Sequence, residues 1–415
     1  MAEYAFLLGK NEQLSLAEIF SYLDSRGVLF KEVELLPNVF VFNTSSTIDA
    51  KNIMEDLGGS IKIIKILSSV PSSAVKNVGN NKKKLKEILD GLDLISQLPL
   101  RNSKIFFGVS VYGQKYYLMM SVYRLFGSYL KRKLKEQSLN GKFFGYPRDR
   151  DPSMTHVEVI KNNLIEESFE LDVCIGKEKT YIGTTVAVHN PFEFQKRDVQ
   201  RPVQRIIFSI PPRLSRIMIN LAKTKPGDVL LDPFCGIGSI LQEALLMGID
   251  IRGVDTDFNC INGAKRNLNW IKQNYKVEAG NLDKKIFVGD AGKLSRYFPK
   301  ESIDAIVTEP YLGPPLKSVP SVKKARQIID EVRPLYQKVL KEMYFVLKKG
   351  GCVSIVSPLF RTIENVEVKL EMEKIARNTG FSIVNPIERM VTGLKSFVDA
   401  EERHRTLREI FVLKK

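Results

Sequence analysis

The sequence predicts a two-part α/β protein, in which an α+β N-terminal region precedes a C-terminal domain with a mostly parallel sheet and an antiparallel end strand. After about residue 214, apolar strand-like segments alternate with helical patterns, which is typical of a parallel sheet covered by helices on both faces. The last two strand-like segments, 381–389 and 407–414, are separated only by the polar loop 393–405, so we expect them to pair antiparallel at the sheet edge. Upstream of about residue 180, strand-like and helical segments mix without a glycine-rich loop.

The boundaries of the predicted elements follow the apolar periodicity. In the N-terminal region we predict strands at 4–9 and 104–111 and helices at 14–26 and 115–137. In the C-terminal domain we predict a helix at 240–247, and strands at 228–232, 250–255, 285–290, 303–309 and 351–357. The segment 186–213 is rich in Pro and Arg and poor in periodicity, so we interpret it as a linker. This interpretation predicts regions at 1–60 and 61–185 before the linker and a domain at 214–415 after it.

Composition limits the class of protein. A chain of 415 residues with 44% hydrophobic residues is long enough for two or three domains with sizeable cores. The net charge of +16 favours a polyanionic partner, most simply a nucleic acid, over a generically basic surface. The four cysteines are far apart, and neither a signal peptide nor a membrane-spanning apolar run is visible. We therefore expect a cytoplasmic protein without a membrane partner, and no Cys/His spacing predicts a metal site.

The positive charge is concentrated in residues 101–150, which hold eleven Lys or Arg and only two acids. A local patch of this kind favours a docking surface more than a uniform excess of charge does. Cations at the C-terminal end of the predicted helix 115–137 also suit the helix dipole, but the run continues beyond the helix among aromatic residues. We predict that RNA or DNA contacts Lys131, Arg132, Lys133, Lys135, Lys142, Arg148 and Arg150.

A glycine-rich turn follows the first predicted strand of the C-terminal domain. The strand ends at Asp232, and Gly236 and Gly238 then form a tight loop that leads into a helix. Glycines let a ligand approach the backbone closely, and a helix N-terminus favours anionic groups. A dinucleotide site would have a third glycine where Leu241 stands, so the pattern differs from the pyrophosphate fingerprint.

Acids also end the next two predicted strands. Asp255 lies 23 residues after Asp232, a position at which a carboxylate can bind both hydroxyls of a ribose. Asp257 is an alternative ribose ligand, although its position better suits the start of a helix. Asp290 ends the third strand, where it can reach an adenine edge. Together these features describe a nucleoside with an amino-acid tail and no pyrophosphate, which fits S-adenosylmethionine.

Several segments resemble one family. Residues 232–239, Asp-Pro-Phe-Cys-Gly-Ile-Gly-Ser, resemble the first motif of class I methyltransferases that act on exocyclic amines of nucleobases. The upstream half resembles a THUMP-type RNA-binding region. The segments that carry the likeness to archaeal-type tRNA guanine-N2 methyltransferases, which modify guanosine 10, are 4–9 (YAFLLG), 14–18 (LSLAE), 155–163 (THVEVIKNN), 181–187 (YIGTTVA) and 197–202 (RDVQRP).

The resemblance implies a fold, a cofactor and a substrate. It implies a ferredoxin-like region over 1–60, a THUMP-like RNA-binding domain over 61–185 and a Rossmann-like methyltransferase domain over 214–415. The reaction implied is methyl transfer to the N2 amine of a guanosine in tRNA or another structured RNA. Some eukaryotic relatives use a small partner subunit, so an activating subunit stays open. The cofactor-binding residues are then Asp232, Phe234, Gly236, Gly238, Asp255 and Asp290.

The fourth strand of this family ends in Asp/Asn-Pro-Pro-Tyr/Phe, and residues 308–313, Thr-Glu-Pro-Tyr-Leu-Gly, are similar. Here Glu309 stands for the acid and Tyr311 for the second proline. An alignment on the tyrosine would instead put Thr308 in the acid's place, but the first alignment keeps both the acid and Gly313. The resemblance implies that Glu309 and the Pro310 carbonyl accept the two N–H bonds of the amine, with Tyr311 against the base.

Two other functions remain open from the sequence. One is methylation of another nucleobase amine, such as rRNA guanine N2 or DNA adenine N6, although the THUMP-type half favours RNA. The other is a non-catalytic RNA-binding protein that retains the methyltransferase fold. The altered fourth motif supports this second alternative, and the intact acids and glycines of the cofactor motifs oppose it.

Overall fold

The computed structural model describes residues 2–79, 81–100, 104–145, 151–204, 209–400 and 405–415. Within these residues, the strands are β1 (Ala2–Leu8), β2 (Phe30–Leu36), β3 (Val39–Thr44), β4 (Ser60–Pro71), β5 (Lys104–Tyr112), β6 (Asn140–Phe143), β7 (Phe169–Ile175), β8 (Lys179–Val188), β9 (Val229–Asp232), β10 (Asp250–Asp255), β11 (Ile286–Val288), β12 (Ile303–Thr308), β13 (Leu347–Arg361), β14 (Glu367–Lys369), β15 (Ser382–Ile383), β16 (Phe397–Asp399) and β17 (Leu407–Lys414).

The helices lie among these strands along the chain. They are α1 (Glu12–Ser25), α2 (Ala50–Asp56), α3 (Ser72–Lys76), α4 (Lys82–Asp90), α5 (Tyr116–Glu136), α6 (His156–Lys161), α7 (Pro191–Val199), α8 (Pro212–Leu221), α9 (Ser239–Leu246), α10 (Phe258–Tyr275), α11 (Leu282–Lys285), α12 (Val322–Val346) and α13 (Met372–Thr379). No described helix is long and apolar enough to cross a membrane.

The chain forms two compact units. The N-terminal unit comprises Met1–Glu12, Val28–Asp56 and Ser60–Phe192. The C-terminal unit comprises Gln13–Gly27, Leu57–Gly59 and Glu193–Lys415.

One eight-stranded sheet, in the order β2-β3-β1-β4-β8-β7-β5-β6, runs through the N-terminal unit. Its strands pair antiparallel except at β5, which is parallel to both β6 and β7. The sheet contains strands from both of the regions that the sequence divides at residue 60, since β1 is hydrogen-bonded to β4. The amphipathic helix α5 packs its apolar face, including Val122, Phe126 and Leu130, into the core beside β5.

A buried polar network crosses the middle of this sheet. The Lys62 ammonium lies 2.5 Å from Oε1 of Glu170, and both side chains are fully buried. The hydroxyls of Ser110 and Thr185 also donate to the Glu170 carboxylate. The Thr185 hydroxyl further contacts Asp172, whose pKa is raised well above its usual range by burial. A charged lysine is stable at this depth only because a carboxylate offsets its desolvation.

Replacing Lys62 by methionine is expected to lower the free energy of unfolding of the N-terminal unit by about 3–5 kcal/mol, because it leaves the Glu170 carboxylate unpaired in the core. Hydrogen exchange of the β4 and β7 amides, read by mass spectrometry, measures this loss. The double variant Lys62→Met/Glu170→Gln should recover part of it, since no buried charge then remains at this pair. Equal losses in the single and double variants would show that the ion pair is not the cause.

The C-terminal unit contains the predicted mixed sheet, in the order β11-β10-β9-β12-β13-β17-β15. The five strands from β11 to β13 are parallel, and β17 and β15 pair antiparallel at the other end. The fold class predicted from the sequence is therefore confirmed. The chain runs from β9 outward to β11 and then returns to β12 on the other side of β9, so the direction of strand order reverses between β9 and β12.

The end of the chain differs in detail from the prediction. The expected strand at 381–389 is reduced to the two residues of β15, because only Ser382 and Ile383 pair with β17. The expected polar loop at 393–405 contains β16, which pairs with the opposite end of β17. The apolar pattern alone did not reveal that two short strands share one long partner.

The segment 186–213, interpreted as a linker, contains helix α7 and the start of α8. Arg197 on α7 donates to both carboxylate oxygens of the fully buried Glu243, at 2.7 and 3.1 Å. Arg216 contacts the same carboxylate at 2.8 Å. Burial by itself raises the pKa of Glu243, but the two guanidinium groups outweigh burial and lower it. A polar, arginine-rich pattern here reflects buried ion pairs rather than an irregular connection.

Helix α1 belongs to the C-terminal unit although it precedes β2 in the chain. Its fully buried Glu18 accepts the backbone N–H groups of Gly58 and Gly59, both at 2.7 Å, and the Asn220 amide at 2.8 Å. Burial raises the pKa of Glu18 to about 7. These polar contacts join three segments that are distant in sequence.

Candidate active site

The candidate site lies at the carboxyl edge of the central strands of the C-terminal sheet. Asp232 and Asp255 end β9 and β10, Asp290 follows β11, and Glu309 directly follows β12. These four strands are parallel neighbours, so their ends lie at the same edge. In open α/β sheets, ligands bind in the crevice where the strand order reverses, which here is the crevice between β9 and β12.

Asp232 is connected to the end of β12 by a hydrogen bond. The Thr308 hydroxyl donates to Oδ1 of Asp232 at 2.7 Å, and the Phe234 N–H donates to the same oxygen at 3.1 Å. Asp232 is only 2% exposed. Burial raises its pKa to about 7, and the charges of Asp255 and Glu309 act in the same direction. Asp255 and Glu309 are thus close enough to Asp232 for their charges to act on it.

The glycine loop has the backbone that its sequence predicts. Gly236 and Gly238 have φ values of 49° and 86°, which favour glycine. A Cβ at Gly238 would lie 3.2 Å from the Ala264 side chain on α10, whereas a Cβ at Gly236 would meet no atom within 4 Å. Gly238 therefore permits close packing between helices, and Gly236 borders open space that a ligand can occupy.

Asp255 is held by the backbone around it. Its carboxylate accepts the N–H groups of Gly236 and Asp257, both at 2.9 Å. The side chain of Asp257 caps α10 by accepting from Asn259 and Cys260. The prediction that Asp257 starts a helix is confirmed, so Asp255 is the better placed of the two acids for a ribose.

Asp290 begins a short 3₁₀ turn at Ala291–Arg296 and accepts the Gly292 N–H at 2.8 Å. This hydrogen bond lowers the pKa of Asp290, and the ammonium groups of Lys338 and Lys293 lower it further. These ammonium groups lie 3.4 and 3.6 Å from Oδ2. The side chain remains 37% exposed, so its ionised carboxylate faces solvent at the site edge.

Glu309 is held by an ion pair that the sequence analysis missed. Nε of Arg408, on β17, donates to Oε1 of Glu309 at 2.7 Å, and both side chains are at least 86% buried. Asp399 on β16 lies 3.8 Å from Nη1 of the same arginine. Among the described residues, Oε2 of Glu309 forms no hydrogen bond or ion pair.

The rest of the fourth motif has contrasting exposure. Pro310 is buried, whereas Tyr311 is 52% exposed. Gly313 has a φ of 103°, and a Cβ there would approach the Ile328 side chain to 2.5 Å. The loop therefore holds Glu309 and Pro310 against the sheet edge and presents the Tyr311 ring to solvent.

Three residues of the site were not singled out from the sequence in these roles: Thr308, Arg408 and Phe258. A charged residue within the apolar strand of residues 407–414 is a signal for Arg408, but its partner is 99 residues away. Phe258 follows the helix-capping Asp257, three residues after Asp255, and its side chain is 65% exposed. No periodicity distinguishes an exposed aromatic ring from a buried one at the first position of a helix.

The predicted nucleic-acid contacts differ in the partners that the structure gives them. Arg132 and Lys133 form ion pairs with Asp90 and Glu136. Lys131 and Lys135 are exposed, and no ion pair is recorded for them in the described part of the chain. The Lys142 ammonium lies 5.6 Å from the centre of the Phe106 ring. Arg148 and Arg150 lie outside the described residues.

The arrangement fits S-adenosylmethionine. Open space at Gly236, an acid on each of three neighbouring strand ends and the exposed Phe258 ring suit a nucleoside with a cationic tail. Asp232, Phe234, Gly236, Gly238, Asp255 and Asp290 would hold it. The clustered carboxylates oppose a pyrophosphate, since like charges at short range repel.

Comparisons with known proteins agree with this geometry. The family model described as "RMKL-like, methyltransferase domain" matches residues 203–382. The crystal structure of TrmN from Thermus thermophilus has a TM-score of 0.52 and 15% identity, with 100% of this chain and 99% of that chain covered; at this identity the likeness shows the fold. The fold and the site define a class I S-adenosylmethionine-dependent methyltransferase domain.

Curated relatives narrow the class to one family. The tRNA (guanine(10)-N2)-dimethyltransferase of Pyrococcus abyssi is 34% identical over 204 residues, which cover 49% of this chain and 55% of the relative. A probable tRNA (guanine(10)-N2)-dimethyltransferase of Methanothermococcus thermolithotrophicus is 36% identical over 161 residues, 39% of this chain and 85% of the relative. The chain belongs to the tRNA (guanine(10)-N2)-dimethyltransferase family, and it spans about half the length of the Pyrococcus relative.

Binding of S-adenosylmethionine is expected to strengthen as the pH rises from about 6 to about 7.5. The pKa of Asp232 is about 7, so the carboxylate form, which a cationic ligand favours, becomes dominant over this range. Isothermal titration calorimetry at several pH values measures the dependence. Asp232→Asn should bind more weakly and with a flatter pH profile, and an unchanged profile would assign the dependence to another group.

Proposed function

We propose that the protein transfers a methyl group from S-adenosylmethionine to the exocyclic N2 amine of a guanosine in tRNA, at position 10. The observation that carries the proposal is the position of Glu309, which directly follows β12 near the buried Asp232 at the crevice of the sheet. An acid followed by Pro310 and Tyr311 at this place suits a flat base with an amino group on its edge.

The names of the relatives support the substrate. The proteins of Pyrococcus abyssi and Methanothermococcus thermolithotrophicus carry the name tRNA (guanine(10)-N2)-dimethyltransferase, in the latter case as probable. A Saccharomyces cerevisiae relative, 29% identical over 35% of this chain and 34% of its own length, is named tRNA (guanine(10)-N(2))-methyltransferase. The shared position and base favour guanosine 10 over another amine.

The chain's residues must activate a weak nucleophile. S-adenosylmethionine supplies an electrophilic methyl group on a sulfonium. Oε2 of Glu309 and the Pro310 carbonyl accept the two N–H bonds of the amine, which draws nitrogen towards tetrahedral geometry and aims its lone pair. Tyr311 packs against the base face. In-line displacement gains most of its acceleration from such positioning.

Glu309 also acts as the base that accepts the proton released by the amine. When bound, S-adenosylmethionine would give up its methyl group and keep the electron pair of the C–S bond on sulfur, so the amine nitrogen must lose one proton. The Glu309 carboxylate is within contact of that proton when it accepts the N–H, and it takes the proton up. Arg408 occupies Oε1 and leaves Oε2 for the amine.

The N-terminal unit is proposed to dock the RNA as a THUMP-type region, through the exposed cations predicted from the sequence. The target base leaves its stack to enter the site, as it does in other enzymes that modify bases. All four cysteines are free and buried, and we propose a cytoplasmic location for the protein.

Incubation of the full chain with labelled S-adenosylmethionine and an unmodified tRNA transcript tests the function. Mass spectrometry of the nucleosides should detect N2-methylguanosine at position 10. Glu309→Gln should lower kcat by about 10²- to 10⁴-fold, because the amide cannot take up the proton. Binding of tRNA and cofactor without any methylated nucleoside would contradict the proposal as it stands and direct the search to an activating subunit or a non-catalytic role.

Arg408→Ala is expected to lower kcat by about 10²-fold. Without the ion pair, the Glu309 carboxylate would move by about 1 Å and would no longer be positioned to accept the N–H of the amine. The KM for tRNA and the affinity for S-adenosylmethionine should stay unchanged, and Arg408→Lys should restore part of kcat. Lys369→Ala is a matched control. Lys369, on β14, forms an ion pair at 2.8 Å with Glu409, which lies next to Arg408 on β17. A loss of equal size in the control would assign the effect to the strand rather than to Glu309.

A further inference from the structure

One face of α5 carries a continuous polar and basic stripe. Residues at alternating spacings of four and three share one face of a helix, and on α5 this set consists of Tyr117, Ser121, Arg124, Ser128, Lys131 and Lys135. The set contains three cations, two serines, one tyrosine and no acid. Its 18-residue span corresponds to about 27 Å at 1.5 Å per residue.

The stripe is open to solvent and electrostatically unpaired. Arg124, Ser128, Lys131 and Lys135 are exposed, and Tyr117 is 86% exposed. Across the described residues, no ion pair is recorded for the three cations. The opposite face of α5 is buried in the core, so this stripe is the face that the N-terminal unit leaves for a partner.

Helix α4 extends the same basic surface. Asp90 at its end contacts Arg132 and Lys133 of α5 at 3.1 and 2.8 Å. Lys83 and Lys86 lie seven and four residues before Asp90, on the same face of α4, and both are exposed. The first turn of α4 holds Lys82, Lys83 and Lys84 with no acid. Cations at that end oppose the helix dipole, so helix stability does not explain them.

We propose that the α5 stripe, flanked by Lys83 and Lys86, is a docking surface for the phosphodiester backbone of a structured RNA. Arg124, Lys131 and Lys135 contact phosphates along the helix. The hydroxyls of Ser121 and Ser128 donate to the Tyr117 and Leu125 carbonyls of α5 itself, so these two small side chains leave room between the cations for the RNA backbone. Tyr117 stacks on an unpaired base at one end of the stripe. The inference rests on the proposed function for its partner, and it adds Tyr117, Arg124, Lys83 and Lys86 to the interface.

Arg132 and Lys133 then have a different role from that of their neighbours. Both are engaged by Asp90 and Glu136. The hydrogen bond from Lys133 lowers the pKa of Asp90, and the same contact raises the pKa of Lys133. These two cations connect α4 to α5 and align the two basic surfaces, while the unpaired cations meet the RNA.

The test compares two triple variants of the full chain that lose the same charge. Arg124→Ala/Lys131→Ala/Lys135→Ala removes the stripe, and Lys10→Ala/Lys31→Ala/Lys51→Ala removes three exposed lysines elsewhere in the same unit. Filter binding to an unmodified tRNA transcript gives Kd over a range of salt concentrations. The stripe variant should bind about tenfold or more weakly, with a log–log salt slope shallower by about 2 to 3.

The other variants separate the contacts. The control triple variant should change Kd by less than about twofold, and Tyr117→Ala should weaken binding without changing the salt slope, because stacking releases no counterions. Unchanged melting temperatures show that the variants fold. Equal losses in both triple variants, or wild-type binding by the stripe variant, would overturn the proposal.

The outcome is distinguishable from failure of the proposed function. The wild-type protein could bind tRNA through the stripe and yet form no N2-methylguanosine. This result would support the docking surface and contradict the proposed reaction. If the stripe variant binds and methylates tRNA as the wild type does, the proposed docking surface is contradicted and the proposed reaction is supported.

Discussion

The hydrogen bond from Thr308 to Asp232 is the constraint on which the site depends. It joins the ends of β9 and β12 at 2.7 Å, between the two strands where the sheet reverses its order. The glycine loop leaves β9 from this point, and the loop with Glu309 leaves β12. Because both residues are buried, the bond forms in a low dielectric and fixes the spacing of the two loops. The cofactor side and the substrate side of the crevice therefore share one anchor.

Buried ion pairs perform a similar role outside the crevice. Glu243 on α9 is held by Arg197 and Arg216 from two other helices, and Arg201 donates to Ser239 at the start of α9 at 2.7 Å. Removing one partner would leave a buried charge uncompensated, which is strongly destabilising. The segment before the sheet is thus part of the scaffold that positions the glycine loop. Glu309 is also held by a buried ion pair. Its side chain is one methylene longer than the Asp or Asn of the family motif, and Arg408 fixes its position.

The basic residues of the N-terminal unit show why charge counts need a structure. Composition places the positive charge in residues 101–150 but treats all its cations alike. On α5, Lys131 and Lys135 face solvent and form no ion pair with any residue that the structure describes, whereas Arg132 and Lys133 between them are neutralised by two acids. Helical geometry separates them, since residues one apart point about 100° from each other. The surface of α5 that can attract a polyanion is therefore the face that carries Lys131 and Lys135, not the whole cluster of basic residues.

The sequence by itself determined the parallel sheet, the glycine loop and the order of the acids Asp232, Asp255 and Asp290, because apolar periodicity and strand-end positions are local properties. It also indicated the family: the motifs at 232–239 and 308–313 resemble those of methyltransferases that act on nucleobase amines, and segments such as 155–163 and 197–202 carry the likeness to tRNA guanine-N2 enzymes. Only the tertiary structure decided that Arg408 holds Glu309, that α1 joins the C-terminal unit and that the 186–213 segment carries buried ion pairs. These contacts join residues as many as 202 positions apart, and no local pattern encodes which distant partner a buried charge will find.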